Sequence, residues 1–165
     1  MPSAELQEQL VTYLTDVHSL EQNAVGMLQA GAEHVGDQEL MQAFREHLVE
    51  TKEHERLIEG CLERYGASTS TLKDVAQKGS AMISGMMARS ADDTTGKFAI
   101  QAFAFEHVEI ASYRMLCVVA ERADDHDTLD IARRILEQEQ QAAAKLNELI
   151  EEVAEFDLGQ MGLAA

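Results

Sequence analysis

The sequence predicts an all-α chain: an antiparallel four-helix bundle with one crossover connection. Three observations predict it. Proline occurs once in 165 residues, at position 2, so no later helix is broken by one. Ala, Leu, Glu and Gln dominate, Trp is absent and aromatics are 5 %, a helical composition. Long stretches place apolar residues at a 3.6-residue period between breaks built from Gly, Asp, Ser and Thr.

The elements follow in order. Segment one runs from near Ser3 to about His34, and Gly36 closes it. Asp37 is the N-cap candidate of segment two, which ends near Tyr65 before Gly66. The Ser/Thr loop ASTST follows, then a shorter helix from about Thr71 to Arg89, whose Met82, Met86 and Met87 read as packing residues. After the polar break SADDTTGK, segment four starts between Asp93 and Lys97 and ends near Ala123. DDHDT is the next break, and segment five runs from about Asp127 to Phe156. The tail DLGQMGLAA, residues 157–165, is expected to be flexible, leaving residues 1–156 as a single domain.

Four of these segments are about 30 residues, or about 45 Å, long. Short links join the first to the second and the fourth to the fifth, making antiparallel hairpins. The long middle connection carries the short extra helix and returns the chain along the bundle, the arrangement of ferritin-like folds. Spectrin-like and cytokine-like bundles share the composition, so periodicity alone leaves them open.

Thirteen basic against 30 acidic residues give a formal charge of −17. Such a chain is repelled by nucleic acid and by anionic membranes, and neither partner is expected. No apolar run approaches the roughly 20 residues of a membrane span. The opening residues, MPSAELQEQL, lack a basic stretch followed by an apolar one, so a cytoplasmic location is expected. Cys61 and Cys117 lie on apolar stripes and read as buried free thiols in a reducing compartment, with a disulfide as the alternative.

Each long segment interrupts its apolar stripe with a carboxylate. In segment one the stripe is Leu10, Leu14, Val17, Glu21, Val25 and Leu28; in segment two it is Leu40, Ala43, His47, Glu50, His54, Leu57 and Cys61. Segment four gives Ala99, Phe103, Glu106, Ile110, Tyr113, Cys117 and Ala120. Segment five gives Ala132, Ile135, Glu139, Ala142, Leu146, Leu149 and Val153. One such Glu is ordinarily a boundary residue reaching for solvent. Four at similar depth would each cost several kcal/mol and repel one another unless cations lie between them.

Two divalent metals about 3.5–4 Å apart, bridged by carboxylates, would neutralise that charge. Carboxylates with one or two imidazoles suit iron, or manganese, better than the thiolate sites of zinc. The expected ligands are Glu21, Glu50, His54, Glu106, Glu109 and Glu139. His54 follows Glu50 at i+4, with Glu53 at i+3 as the alternative; Glu109 follows Glu106 at i+3. Segment five offers only Ala142 and Ala143 at the corresponding positions, a gap in the Glu-x-x-His pattern of di-iron bundles. His47, one turn from Glu50, and His107, one position off the stripe, are candidates to orient a ligand from outside. The alternative for His107 is half-exposure without a role. Tyr113 reads as a buried, hydrogen-bonded tyrosine beside the metals, with redox activity as the alternative.

The stretches HSLEQNA, FREHLVETKEHERL, FEHVEIASY and ILEQEQQAAAKL, in this order and spacing, resemble the ferritin-like YciE/YciF family over roughly residues 10–150. The resemblance implies a ferritin-like bundle, usually a homodimer, with a metal pair inside and an association with stress responses. It matches Glu21, Glu50, Glu106, Glu109 and Glu139; His54 stands where related sequences often have Gln, and an acidic residue of some relatives is Ala143 here.

The function expected is that of a di-iron carboxylate protein that binds two Fe ions and oxidises Fe(II) with O2 or peroxide. The metal ligands are its only catalytic residues. A non-catalytic helical stress protein with a structural or vestigial metal site is the alternative. An oxygenase would need an apolar tunnel, for which Met82 to Met87 are the candidates.

Overall fold

The computed structural model of the protein describes residues 3–66 and 94–163. Among these residues there are four helices and no strand: α1 (Ala4–His34), α2 (Gln38–Arg64), α3 (Thr95–Arg122) and α4 (His126–Gln160). The expected short helix at 71–89, with Met82, Met86 and Met87, lies outside the described residues.

Each helix starts on a side-chain cap that satisfies an orphan N–H of the first turn. Ser3, Asp37, Thr94 and Asp125 accept from the backbone of Leu6, Leu40, Lys97 and Thr128 at 3.2, 2.8, 3.3 and 3.0 Å. Asp124, in the tight turn before α4, takes the left-handed conformation (φ 55°), which a short polar side chain tolerates.

The contacts at the two ends define the topology. At one end the turn between α1 and α2 meets the start of α3, where Gly36 N–H donates to Thr95 Oγ1 at 3.1 Å. The end of α4 joins them, with Gly96 N–H donating to Asp157 Oδ2 at 2.9 Å. At the opposite end, Arg64 and Tyr65, closing α2, bond Asp125 in the turn between α3 and α4; the tyrosine hydroxyl does so at 2.8 Å. The end of α2 and the start of α3 therefore lie at opposite ends of the bundle, as a crossover connection requires. Around the bundle α1 packs on α2 and α3, and α4 packs on α3 and α2. This is the ferritin-like arrangement.

The core divides into two apolar clusters. One gathers Leu28, Phe44, Phe98, Phe105, Leu146 and Leu149; the other gathers Leu14, Ile58, Leu62, Tyr113, Leu116 and Ile135. Each cluster draws on all four helices, and between them each helix carries buried polar side chains. The phase of α1 relative to α2 is set partly at Gly31, where a Cβ would stand 2.5 Å from the Phe44 ring; only glycine allows that approach.

Several stripe positions differ by one row from the expectation. Ala24, Ile58, Ala102, Leu116 and Ala143 are buried, whereas Val25, Leu57, Phe103, Cys117 and Ala142 are only half-buried. The apolar band of these helices is wider than one row. In α3 it extends to the outside, where Ile100, Met115 and Val118 are exposed, so hydrophobicity alone blurs the phase. The tail does not begin at residue 157: α4 continues to Gln160, held by the Asp157 bond to Gly96. Both cysteines are free, Cys61 buried and Cys117 half-buried, and burial raises both thiols above their ordinary pKa. No helix among the described residues is long and apolar enough to cross a membrane.

Candidate metal centre

Between the two apolar clusters every helix contributes a polar side chain at the same level. Glu21 comes from α1, His47 and His54 from α2, Glu106 and Glu109 from α3, and Glu139 from α4. The four carboxylates are fully buried, and the two imidazoles nearly so. On α2 the inward row is His47, Thr51, His54, Ile58, a spacing that keeps one face. Thr51 turns its hydroxyl back onto the His47 carbonyl at 2.9 Å and so leaves the centre to the histidines.

These side chains form two candidate ligand sets that share one member. His47, Glu106, Glu109 and Glu139 bring one ligand atom each within 4.8 Å of one another, as do Glu21, His54 and Glu139. Glu139 serves both: Oε1 lies 2.8 Å from His54 Nδ1, and Oε2 lies 3.2 Å from His47 Nε2. His47 Nε2 is also 3.1 Å from Glu106 Oε2, and His54 Nδ1 is 3.5 Å from Glu21 Oε2.

Each set is oriented from outside. His47 Nδ1 meets Glu50 Oε2 at 3.1 Å, and His54 Nε2 meets Gln138 Oε1 at 3.2 Å. With those outer nitrogens protonated, the inner lone pairs of both rings face the carboxylates. The Tyr113 hydroxyl donates to Glu21 Oε1.

Nine buried atoms of these six side chains lack a hydrogen bond: both oxygens of Glu106, Glu109 and Glu139, Glu21 Oε2, His47 Nε2 and His54 Nδ1. The imidazoles stand 2.8–3.5 Å from Glu21, Glu106 and Glu139, yet none of these contacts has the geometry of a hydrogen bond. Acceptors converge on acceptors, a costly arrangement unless a cation or protons take the space. The donor set of carboxylates with two imidazoles fits iron or manganese. The buried group could therefore hold metal.

Protons are the competing occupants. Burial pushes Glu109 well above the ordinary carboxyl value, and Glu139, Glu21 and Glu106 push it further. Burial also raises Glu106, to about 7 against the pull of His47. Burial opposes charge on His54, yet Glu139 and Glu21 outweigh it and lift the ring to about 9; His47 is likewise raised by Glu106, Glu139 and Glu50. Burial would raise Glu139, but the two histidines hold it at about 2.

Of the residues singled out in the sequence, the structure brings Glu21, His54, Glu106, Glu109 and Glu139 together. It corrects two placements on α2. Glu50 stands at the rim, its side chain 44 % exposed, and orients His47. His47 stands inside, one row over. His107 is not near the centre: its ring is exposed and its Nδ1 bonds the Phe103 carbonyl at 2.8 Å. Glu53 is on the surface, paired with Arg56 at 2.6 Å, which removes it as the alternative to His54. Ala142 and Ala143 bring no ligand atom to the centre; His47 of α2 stands beside Glu139 there, its Nε2 3.2 Å from Oε2. Gln138 was missed; its only signal in the sequence is its place beside Glu139.

The family model described as domain of unknown function, DUF892, matches residues 5–158 of the chain. A solved protein of Xanthomonas campestris pv. campestris is 31 % identical, with a TM-score of 0.80 over 97 % of this chain and 100 % of that one. The Escherichia coli stress protein YciF is 21 % identical, with a TM-score of 0.71 over 92 % and 98 %. A dodecameric thioferritin of Bacteroides fragilis, a bacterioferritin-related protein, is 20 % identical, with a TM-score of 0.71 over 90 % and 88 %.

Proposed function

The chain belongs to the family described as domain of unknown function, DUF892, and from that premise we propose that it binds a pair of iron ions between its four helices and oxidises Fe(II) with O2 or peroxide in a stress-protective role. The observation that carries this reading is the convergence of nine unsatisfied buried oxygen and nitrogen atoms on two adjoining points that share Glu139. His47, Glu106, Glu109 and Glu139 would hold one ion; Glu21, His54 and Glu139 would hold the other.

Bound iron supplies the one-electron redox chemistry that passes electrons from Fe(II) to the oxidant. The protein's own groups do the rest. Four carboxylates favour the higher charge of the Fe(III) product. Glu50 and Gln138 fix the rings of His47 and His54 so that one nitrogen of each faces inward. Glu50, half in solvent, links the His47 proton to bulk water, and Tyr113 holds Glu21 in place. The stress role is supported by the likeness to YciF, and a homodimer by the exposed Ile100, Met115 and Val118 on α3.

The test is anaerobic loading of the purified protein with Fe(II), a count of iron per chain, and then air. A pair of irons per chain and rapid growth of near-ultraviolet Fe(III) absorbance, both lost in Glu106→Ala, are expected. No retained iron, with oxidation as slow as in buffer, would sink the reading. Metal that alters only thermal stability would favour a structural site.

A further inference from the structure

Beside the centre, in the seam between α2 and α4, the packing leaves a cavity of about 30 Å³ that reaches the His47 ring. Its walls are Leu28, Phe44 and Leu146, all buried. The opening exists because α2 and α4 face each other there with the small side chains of Ala43 and Ala142. Lys145 stands at the mouth, where its apolar stem can line the passage while the ammonium stays in water. His47 is the inner end, and its Nε2 lies 3.1 Å from Glu106 Oε2 within the first ligand set.

We propose that this cavity is the route by which an apolar diatomic gas reaches the metal centre, and that the oxidant it selects is O2 rather than peroxide. The inference deepens the functional reading above and rests on it for the identity of the centre. A volume of about 30 Å³ accommodates a small molecule, and between Lys145 at the mouth and His47 at the inner end the wall of Leu, Phe and Ala side chains offers no hydrogen-bonding group. Hydrogen peroxide would surrender its hydrogen bonds to enter such a space, and hydrated ions far more; O2 has none to lose. Glu50, exposed and polar at the rim of the same histidine, gives ions and protons a separate approach. Dissolved O2 is paramagnetic, so on the metal-free protein O2 itself, compared with nitrogen, serves as the probe for gas access.

The test begins on the metal-free protein. O2-saturated buffer should broaden the methyl resonances of Leu28 and Leu146 relative to nitrogen-saturated buffer, and the broadening should vanish in Ala142→Leu, which fills the seam. A thermal melt and Mn(II) binding by calorimetry show whether that variant is folded with its centre intact; Ala43→Val serves if it is not. On the iron-loaded proteins, the filled variant should need several-fold more O2 for the same oxidation rate, while its rate with hydrogen peroxide stays unchanged. Broadening elsewhere but not at Leu28 and Leu146 would overturn the proposal. So would an unaltered O2 dependence in a variant that abolishes the broadening. If the wild-type protein oxidises no iron, the functional reading fails, and the O2 broadening alone decides whether the cavity admits gas.

Discussion

Glu109 sits among three other carboxylates with neither of its oxygens hydrogen-bonded. In the metal-free protein it holds a proton that the unfolded chain would release above about 4.5. A carboxyl raised in this way removes stability as pH climbs from 4.5 through the folded value, which for Glu106 is about 7. The raised His54 acts in the same direction: its stabilisation is full below 6.5 and is lost as pH rises through about 9. Glu139, held at about 2, contributes stability that is full above 4.5 and is lost as pH falls through about 2. Urea unfolding of the metal-free protein should therefore show greatest stability on the acid side of neutrality. Metal affinity should rise with pH as the competing protons leave. Glu109→Gln should stabilise the metal-free protein at pH 7 by about 1–3 kcal/mol, because a neutral amide replaces a buried carboxyl, and should weaken metal binding. A variant less stable than wild type without metal would count against this account.

At the scale of the elements, Asp125 joins three of the four helices. It caps α4 through the Thr128 N–H, accepts the Thr128 hydroxyl at 2.6 Å and the Tyr65 hydroxyl at 2.8 Å, and pairs with Arg64 from the end of α2. Burial pushes its carboxyl up, but the bonds from Thr128 and Tyr65, with the Arg64 charge, hold it below the ordinary 3.8. That stabilisation is present above 3.8 and is lost as pH falls through the depressed value. Asp125→Ala should cost about 1–3 kcal/mol in urea unfolding at pH 7, and the difference from wild type should shrink in acid. A difference independent of pH would show that the cap acts without its charge.

For the whole molecule, the centre ties all four helices at mid-height, where the apolar core is divided. Metal that binds only the folded chain should stabilise it by about 2.7 kcal/mol at a free concentration of one hundred times Kd. For a domain of this size that corresponds to roughly 5–10 °C in Tm. Calorimetry with Mn(II) and then with chelator checks it; a melting temperature indifferent to both would contradict a centre shared by four helices.

The sequence by itself determined the four helices, the cap at Asp37, and a carboxylate at mid-height on the buried side of each of α1, α3 and α4. Those are local or periodic facts: a cap is read from one residue, a face from a repeat of 3.6, and a buried charge from its cost. Only the tertiary structure decided that His47 rather than Glu50 turns inward. Neighbouring rows on α2 differ by a small rotation of the helix, and that rotation is set by what it packs against, such as Phe44 seated on Gly31. It also decided that Glu139 serves both ligand sets, that Gln138 orients His54, and that Ala43 and Ala142 open a seam beside His47. Each of these depends on residues far apart in the chain meeting at a distance that no one-dimensional pattern contains.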